Sequence, residues 1–320
     1  MLDRRVHFVI GKGGVGKTTV AAALALILAR RGRRTLAVET EGHGRLAAIL
    51  GAGSTGPQPV AVAPGLSVAA VDGRAALEEY LELVIPVRRL LRTIFASRIY
   101  QYFVAAAPGL KELMTVGKIW YEATREEAGQ RAWDAVVVDA PATGHALQVL
   151  RMPQAARDTF GAGLVQREAA RIVGFLRDPR ATAVHLVTLA EEMPVSEALE
   201  AHAELTGPLG LPLGWVIVNR LHRRRFSPAL LEALRAAAVA APGEERALLA
   251  AVADRAQEEE GWAAINAQHL AALRAALPAA PFVELPFLFV EEFDRAALEQ
   301  LAALLEAAIA PARARARRRS

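Results

Sequence analysis

A glycine-rich run, GKGGVGKTT at Gly11–Thr19, constrains the fold of this chain more than any other feature. It follows the apolar stretch VHFVI and precedes TVAAALALILARR, whose composition is typical of a helix and which stops before Gly32. Glycines let the backbone turn tightly so that successive N–H groups point at phosphate oxygens, and a helix N-terminus adds its positive end. The run therefore predicts a phosphate-binding loop between a buried strand and a helix.

The side chains of this loop fit a nucleoside triphosphate and its metal ion. Lys17 is expected to reach the β- and γ-phosphates, and the Thr18 hydroxyl to bind Mg²⁺. The chain has only four lysines, against 34 arginines, and two of the four are Lys12 and Lys17. Because an arginine fork is too bulky to act as a compact point charge here, the lysine is chemically required. ATP and Mg²⁺ are thus the predicted cofactors. The predicted nucleotide contacts are Gly13, Gly14, Val15, Gly16, Lys17, Thr18 and Thr19.

Short β-rich runs alternate with long stretches of helical period in the rest of the chain. Runs such as AVVVD and WVIVN are almost wholly apolar, as expected for parallel strands covered on both faces. The pattern predicts an α/β protein with a doubly wound, mainly parallel sheet, in a single domain over residues 1–310. The predicted strands are Val6–Ile10, Thr35–Glu39, Ala135–Asp139, His185–Leu189, Trp215–Asn219 and Phe282–Leu285.

Three stretches, about residues 74–130, 151–180 and 222–280, are too long and too helical in period to be simple crossovers. Their apolar residues recur at helical spacing, with Glu and Arg between them. We predict that the three stretches pack as an inserted helical layer on one side of the sheet. A buried cap is the ordinary interpretation of these apolar positions, and an exposed groove for an apolar client is the alternative.

The formal charge of +4 comes from the last ten residues. Residues 311–320, PARARARRRS, hold five Arg and no acid, whereas the first 310 residues hold 33 bases and 34 acids. This composition predicts a disordered tail, and attraction to an anionic membrane or to nucleic acid is the alternative. The apolar stretch before Gly11 is too short for a signal peptide, and no apolar run reaches the roughly 18 residues that span a bilayer, so we expect a cytoplasmic protein.

An extra lysine, Lys12, distinguishes the loop from the general phosphate-loop pattern. GKGGVGKT with this lysine resembles the deviant Walker A loop of the superfamily that includes MinD, ParA, the nitrogenase iron protein and ArsA. The resemblance implies a dimer that closes around ATP, either a homodimer or a heterodimer with a paralogue, in which Lys12 contacts the nucleotide of the other subunit. Lys12 and Lys17 are accordingly the predicted catalytic lysines.

A second motif indicates the branch of that superfamily. Asp139 ends the strand AVVVD and is followed by APATGHALQVLRMP, which resembles the switch II segment D-T-A-P-T-G-H-T-L-R of ArsA and of the ATPases that target tail-anchored proteins. Asp139, Thr143, Gly144 and His145 match in register. A carboxylate at the carboxyl end of a strand, beside the phosphate loop, can hold the Mg²⁺ shell through water. Asp139 is therefore predicted as a catalytic and metal-binding residue, together with Thr18.

Other segments are also similar to this family. VTLAEEMPVSEALE, at residues 187–200, is similar to its V-T-x-P-E-E-x-x-x-x-E-T segment. Asn219 matches the asparagine that reads the adenine edge, for which an amide offers both a donor and an acceptor. An asparagine that forms a turn at the strand end is the alternative. Pro286 and Glu291 match the loop that flanks adenine, so the resemblance covers most of residues 5–305.

One departure from the family bears on catalysis. Where its switch I reads S-T-D-P-A-H-N-L, this chain has ETEGHGRL, which places Glu41 at the position of the aspartate that orients the attacking water. Glutamate is one methylene longer, and a displacement of about 1 Å can lower a rate roughly a hundredfold. We therefore predict slow ATP hydrolysis, with Glu41 or alternatively Glu39 as the water-positioning group.

The absence of cysteine from the sequence narrows the function. Without thiolates, neither the metalloid sensing of arsenite pumps nor the shared zinc of eukaryotic targeting factors is available. The resemblance implies a dimeric ATPase whose nucleotide state controls the binding of a hydrophobic helix or a partner protein. Few internal methionines favour a narrow choice of client. The alternative is an ATPase like ParA or MinD, which would bind DNA or anionic membrane through the basic tail.

Overall fold

An eight-stranded sheet forms the middle layer of the fold. The structure is a computed structural model, and it describes residues 1–40, 44–53, 55–84, 88–107 and 109–317. The strands of the sheet are β1 (Val6–Gly11), β2 (Thr35–Glu39), β3 (Val60–Ala63), β4 (Leu66–Ala70), β7 (Ala135–Ala142), β8 (Thr182–Leu189), β9 (Leu213–Leu221) and β10 (Phe282–Pro286). A separate small hairpin consists of β5 (Glu126–Glu127) and β6 (Gln130–Arg131).

The strand order is β10-β9-β8-β1-β7-β2-β4-β3, and every pairing is parallel except that of β3 with β4. The predicted fold class is confirmed, and each of the six predicted strands is present. The sequence analysis missed β3 and β4, because the prolines and glycines around these short strands are typical of a loop. Proline is tolerated beside an edge strand, and β3 is such an edge.

Helices cover both faces of this sheet. They are α1 (Lys17–Arg30), α2 (Arg45–Leu50), α3 (Gly73–Val84), α4 (Arg88–Ala96), α5 (Arg98–Ala106), α6 (Leu110–Thr124), α7 (Thr143–Thr159), α8 (Leu164–Arg177), α9 (Glu192–Thr206), α10 (Pro228–Ala240), α11 (Gly243–Ala276) and α12 (Arg295–Arg317).

One face of the sheet packs on α1, α2 and α12. Strand residues alternate between the two faces, so Ala37 and Val137 join the core with α1, whereas Val38 and Val138 join the core on the other side. All ten residues from Val20 to Ala29 are buried. Helix α1 is enclosed by the sheet, α2 and α12, which explains why its sequence is apolar on every side.

The opposite face packs on α6, α7, α8, α9 and α11. The first two predicted helical stretches correspond to α3–α6 and to the end of α7 with α8, and α6 contacts α3, α7 and α8. The third stretch forms the antiparallel pair α10 and α11, which contacts α9 and β9. Helix α7 starts directly after β7, at Thr143, and therefore includes the second part of the switch II motif as well as residues predicted to be helical.

The last helix extends into the Arg-rich segment. The sequence predicted disorder from residue 311, whereas α12 continues to Arg317. Pro311 lacks an N–H and therefore interrupts the hydrogen bonds of this helix. The alanines and arginines that follow it have high helix propensity, which favours continuation of a helix that is already nucleated. Residues 318–320 lie outside the described residues. Within the part of the chain that the structure describes, no helix is long and apolar enough to cross a membrane.

Candidate functional site

The glycine-rich run forms a loop between β1 and α1, at the carboxyl edge of the sheet. Gly16 precedes α1 and has a φ of 90°. This is the left-handed region that side chains rarely adopt, and a Cβ here would also collide with the amide of Asn219. Glycine is therefore required at Gly16 both by the backbone turn and by the close approach of β9. The local sequence thereby fixes where α1 starts and which way its first N–H groups point.

A cavity of about 630 Å³ opens above this loop. Its walls combine the loop and the start of α1 with residues of α2 and of the carboxyl ends of β2, β7 and β9. The lining residues are Gly13, Gly14, Gly16, Lys17, Thr18, Thr19, Glu39, Arg45, Ala48, Ile49, Asp139, Ala140, Pro141, Ala142 and Arg220. Predicted phosphate-binding and metal-binding residues thus meet around one space. Four other predicted residues, Lys12, Val15, Asn219 and Pro286, are outside this lining.

The loop is held in place by hydrogen bonds to its own carbonyl groups. The ammonium of Lys17 donates to the carbonyl of Lys12 at 3.1 Å. The hydroxyl of Thr19 donates to the carbonyl of Gly16 at 2.8 Å, whereas Thr18 lines the cavity. Val15 is buried, so its side chain anchors the loop in the core. The arrangement leaves the backbone N–H groups at the start of α1 directed to the cavity, as an anion site requires.

Asn219 ties the loop to strand β9. Its side-chain nitrogen donates to the carbonyl of Val15 at 2.9 Å, and the residue is buried. The alternative of a turn at Asn219 is wrong, because β9 continues to Leu221. Pro286 pairs with Leu221 across the sheet, so the two predicted adenine contacts lie on neighbouring strands. Their role in binding adenine stays a prediction.

Lys12 is not among the residues that line the cavity, and its ammonium contacts Glu197 of α9 in the same chain. Both side chains are about one third exposed, at 29% and 34%. Glu197 lies in the segment at residues 187–200 that the sequence analysis singled out, but no role was predicted for it. The pairing holds the extra lysine against its own subunit.

Two carboxylates lie side by side at the edge of the cavity. Glu39 and Asp139 are register partners on the adjacent strands β2 and β7, and both are buried. The Oε1 atom of Glu39 accepts a hydrogen bond from the backbone N–H of Arg45 at 3.0 Å. Its Oε2 atom is buried and has no hydrogen-bond partner within the described residues. Glu41, the other predicted water-positioning residue, lies outside the described residues.

The switch II motif runs from the end of β7 into α7. Ala140, Pro141 and Ala142 line the cavity, and Thr143 is buried at the first position of α7. His145 is exposed on that helix. Among the described residues, no three acidic, histidine or cysteine side chains form a ready-made metal cluster.

Arg220 is a cavity residue that the sequence analysis missed. It follows Asn219 near the end of β9 and adopts a φ of 52°, which is uncommon for a residue other than glycine. Its guanidinium donates to the carbonyl of Gly14 at 3.4 Å. No motif includes this arginine. Its position directly after Asn219 was the one sequence feature that could have placed it near the cavity. Its location puts a positive charge at the wall of the cavity beside the loop, in addition to the charges of Lys17 and Arg45.

A glycine-rich loop joins a buried strand to a helix at the carboxyl edge of a parallel sheet, and an aspartate of the neighbouring strand β7 lines the same cavity. This arrangement defines a P-loop nucleotide-binding protein. Within that class, the family sequence model described as "Anion-transporting ATPase" matches residues 4–174. The chain belongs to this ArsA-type ATPase family.

Individual relatives agree with this assignment. The chain is 38% identical over 222 residues to the ATPase BagA of Mycobacterium tuberculosis, an alignment that covers 68% of this chain and 65% of that protein. It is 30% identical over 229 residues to an arsenical pump-driving ATPase of Escherichia coli, covering 66% and 38% of the two chains. The chain therefore spans slightly less than two thirds of the length of the mycobacterial relative.

Proposed function

We propose that this chain is a Mg-ATP-dependent ATP hydrolase that works as a dimeric switch, in which the nucleotide state controls the binding of a hydrophobic helix or a partner protein. The observation that carries the proposal is the cavity of about 630 Å³ above the loop, which brings Lys17, Thr18 and Asp139 together. The family assignment supports hydrolysis of ATP, since relatives such as BagA are named as ATPases.

The residues of the cavity suit the phosphates of ATP. The N–H groups at the start of α1 would hold phosphate oxygens, and the ammonium of Lys17 would neutralise charge on the β- and γ-phosphates. Arg220 would add charge from the β9 side. Because the N–H groups belong to a rigid helix that is buried along most of its length, they need no reorganisation when charge develops during hydrolysis.

The same cavity suits Mg²⁺. Thr18 and Asp139 would hold the ion, the aspartate through water, and both supply the oxygen ligands that Mg²⁺ prefers. Glu39 and Asp139 are neighbouring buried carboxylates, and a divalent cation between them and the phosphates would offset their negative charge. Bound Mg²⁺ neutralises charge on the transferred phosphoryl group. The attacking water would be oriented by Glu41 or Glu39, and we expect hydrolysis to be slow.

A dimer would require Lys12 to leave Glu197. For Lys12 to contact the nucleotide of a second subunit, its ion pair within the chain must open. A partly exposed pair contributes only about 0–1 kcal/mol, so a nucleotide phosphate could compete for the lysine. The pair is therefore compatible with a lysine that changes partners between nucleotide states.

The helical layer would bind the client. Large apolar side chains are exposed on α3, α4 and α5, among them Tyr80, Ile94 and Tyr102, and Tyr102 is 73% exposed. Phe160 and Leu164 are exposed where α7 meets α8. Exposed aromatic and aliphatic side chains on neighbouring helices are typical of a binding surface for an apolar segment. Helix α7 begins in the switch II motif, which would link this layer to the γ-phosphate.

Phosphate release and sedimentation velocity test the proposal together. We expect slow, Mg²⁺-dependent phosphate release from ATP, loss of at least 100-fold in Lys17→Ala, and no loss in Lys111→Ala, an exposed lysine of α6 that serves as the matched control. A non-hydrolysable ATP analogue should shift the protein from monomer to dimer, whereas ADP should not. Equal phosphate release by Lys17→Ala would rule out hydrolysis at this site, and a monomer with the analogue would rule out the dimeric switch.

A further inference from the structure

Glu39 is a buried acid that the phosphate contacts of the loop do not account for. Only 4% of the residue is exposed, and it lines the nucleotide cavity. One carboxylate oxygen accepts the N–H of Arg45, but the other has no hydrogen-bond partner within the described residues. A buried charged oxygen without a partner is costly. An unpartnered oxygen at the wall of a ligand cavity therefore indicates a partner that arrives with the ligand.

Strand alternation directs this carboxylate to the metal side of the cavity. Ala37 on β2 and Val137 on β7 both face α1, so Glu39 and Asp139, two positions further along the same strands, face α1 as well. Adjacent strands lie about 4.8 Å apart, which places the two acids as neighbours. Thr18 lies in the first turn of α1, the helix on that face of the sheet, and lines the same cavity as the two acids. Glu39 therefore belongs to the same group of oxygen donors as Asp139 and Thr18.

The second oxygen of Glu39 connects the cavity to helix α2. Its hydrogen bond to the N–H of Arg45 is made at the first residue of α2, within the segment that corresponds to switch I. Glu39 lines the cavity and holds the start of α2 with one oxygen, so a ligand that moves this carboxylate would also move α2.

We propose that Glu39 is a metal-positioning residue of the nucleotide site: its free oxygen accepts a hydrogen bond from a water of the Mg²⁺ shell, beside Asp139, while its other oxygen holds the start of α2. The inference rests on the proposed function, because it requires Mg²⁺ to bind with the nucleotide. It goes further in assigning a second carboxylate to the metal shell and in coupling occupancy of the metal site to the position of α2.

Electron paramagnetic resonance of Mn²⁺, used as a spectroscopic substitute for Mg²⁺, tests the assignment on the 320-residue chain with ADP bound. Residues that orient metal ligands typically contribute 10–100-fold to metal affinity. We therefore expect Glu39→Gln to weaken Mn²⁺ binding in the ADP complex at least tenfold. Its affinity for ADP in the presence of EDTA should stay within about twofold, which also shows that the variant is folded. Glu306→Gln, which removes an exposed acid of α12, is the matched control and should change neither affinity.

The outcomes separate this inference from the proposed function. Unchanged Mn²⁺ affinity in Glu39→Gln, with normal affinity in the parent protein, overturns the role of Glu39 alone. The same result with lost turnover would assign Glu39 to water positioning instead. A parent protein that binds neither ADP nor Mn²⁺ overturns both proposals. If Glu39→Gln does not fold, Glu39→Asp carries the test, because it keeps the charge but withdraws it by one methylene and should also weaken Mn²⁺ binding.

Discussion

The contact that Lys12 makes is set by a residue far away in the sequence. Its ammonium contacts the carboxylate of Glu197, a residue 185 positions away that α9 brings beside the loop. Lys17, five residues after Lys12, instead lines the cavity and contacts the loop backbone. The two lysines of one short motif therefore have different environments, and only the second is ready to contact a phosphate in the same chain.

Removing the acid that holds Lys12 should favour the dimer. We expect Glu197→Gln to strengthen dimerisation with a non-hydrolysable ATP analogue by up to about fivefold, because an exposed ion pair worth about 0–1 kcal/mol no longer competes for Lys12. Sedimentation velocity across a concentration series measures the change. Glu200→Gln, an exposed acid one turn further along α9, is the control and should have no effect.

The combination with Lys12→Ala identifies the cause of that change. In a Lys12→Ala background, Glu197→Gln should give no gain, because the freed lysine is absent. Weaker dimerisation in Glu197→Gln alone would contradict the prediction and would mean that Glu197 itself contacts the second subunit.

Strands β1, β8 and β9 share a buried polar cluster away from the nucleotide cavity. His7 and His185 are fully buried, with the Nδ1 atom of His7 3.0 Å from the Nε2 atom of His185. The backbone N–H of Trp215 donates to the Nδ1 atom of His185 at 3.0 Å. That nitrogen therefore carries no proton, so the proton of His185 lies on Nε2 and is donated to His7. Both rings are held neutral in the hydrogen-bonded arrangement.

This cluster should make the fold sensitive to acid. Burial lowers the pKa of His185 to about 3, and burial together with the neighbouring His185 lowers the pKa of His7 well below its usual value. Unfolded histidines bind a proton near pH 6.5, so between about pH 6.5 and 3 the unfolded chain binds more protons and the folded state loses stability as the pH falls. At pH 5, His185 alone should cost about 2 kcal/mol relative to pH 7.5.

Urea unfolding at pH 7.5 and pH 5.0 measures the loss. His185→Gln should reduce the difference between the two pH values, because glutamine does not titrate and its amide can still accept the N–H of Trp215. His202→Gln replaces a half-buried histidine of α9 and serves as the control, which should keep the full difference. An equal free energy of unfolding at both pH values in the parent protein would show that the buried pair does not control acid stability.

At the scale of the whole molecule, the charge is divided unequally. The first 310 residues carry 33 bases and 34 acids, whereas residues 311–320 carry five arginines. Helix α12 is anchored by buried side chains as far as Ile309. Removal of residues 311–320 should therefore change the formal charge from +4 to −1 without exposing the core.

Truncation after Ala310 tests whether the charge of the last ten residues contributes to binding an anionic surface. We expect the truncated chain to keep the melting temperature and the rate of ATP hydrolysis of the parent. Its binding to anionic vesicles at low salt should fall, and the difference should disappear at about 0.5 M salt, since clustered arginines act through screened electrostatic attraction. Vesicle co-sedimentation over a salt series measures this.

Two results of the truncation would change the role assigned to the arginines of residues 311–320. Complete loss of surface binding, together with ATP-dependent surface binding by the parent, would favour an ATPase that organises on a membrane. Equal binding by both chains would contradict an electrostatic role for the tail.

The sequence by itself determined the features that depend on local order. Glycine spacing fixed the loop and the start of α1, apolar runs located six strands, and position at a strand end marked Asp139. Strands β3 and β4 were not predicted from the sequence, because they are short and the prolines and glycines beside them are typical of loops.

Only the tertiary structure decided which residues share the site. The order of the strands sets Glu39 beside Asp139, the approach of α9 pairs Lys12 with Glu197, and the end of β9 brings Arg220 to the cavity. These contacts join residues far apart in the chain, and their existence depends on which strands are neighbours. Periodicity and motif spacing describe each element alone, so they carry no information about that order.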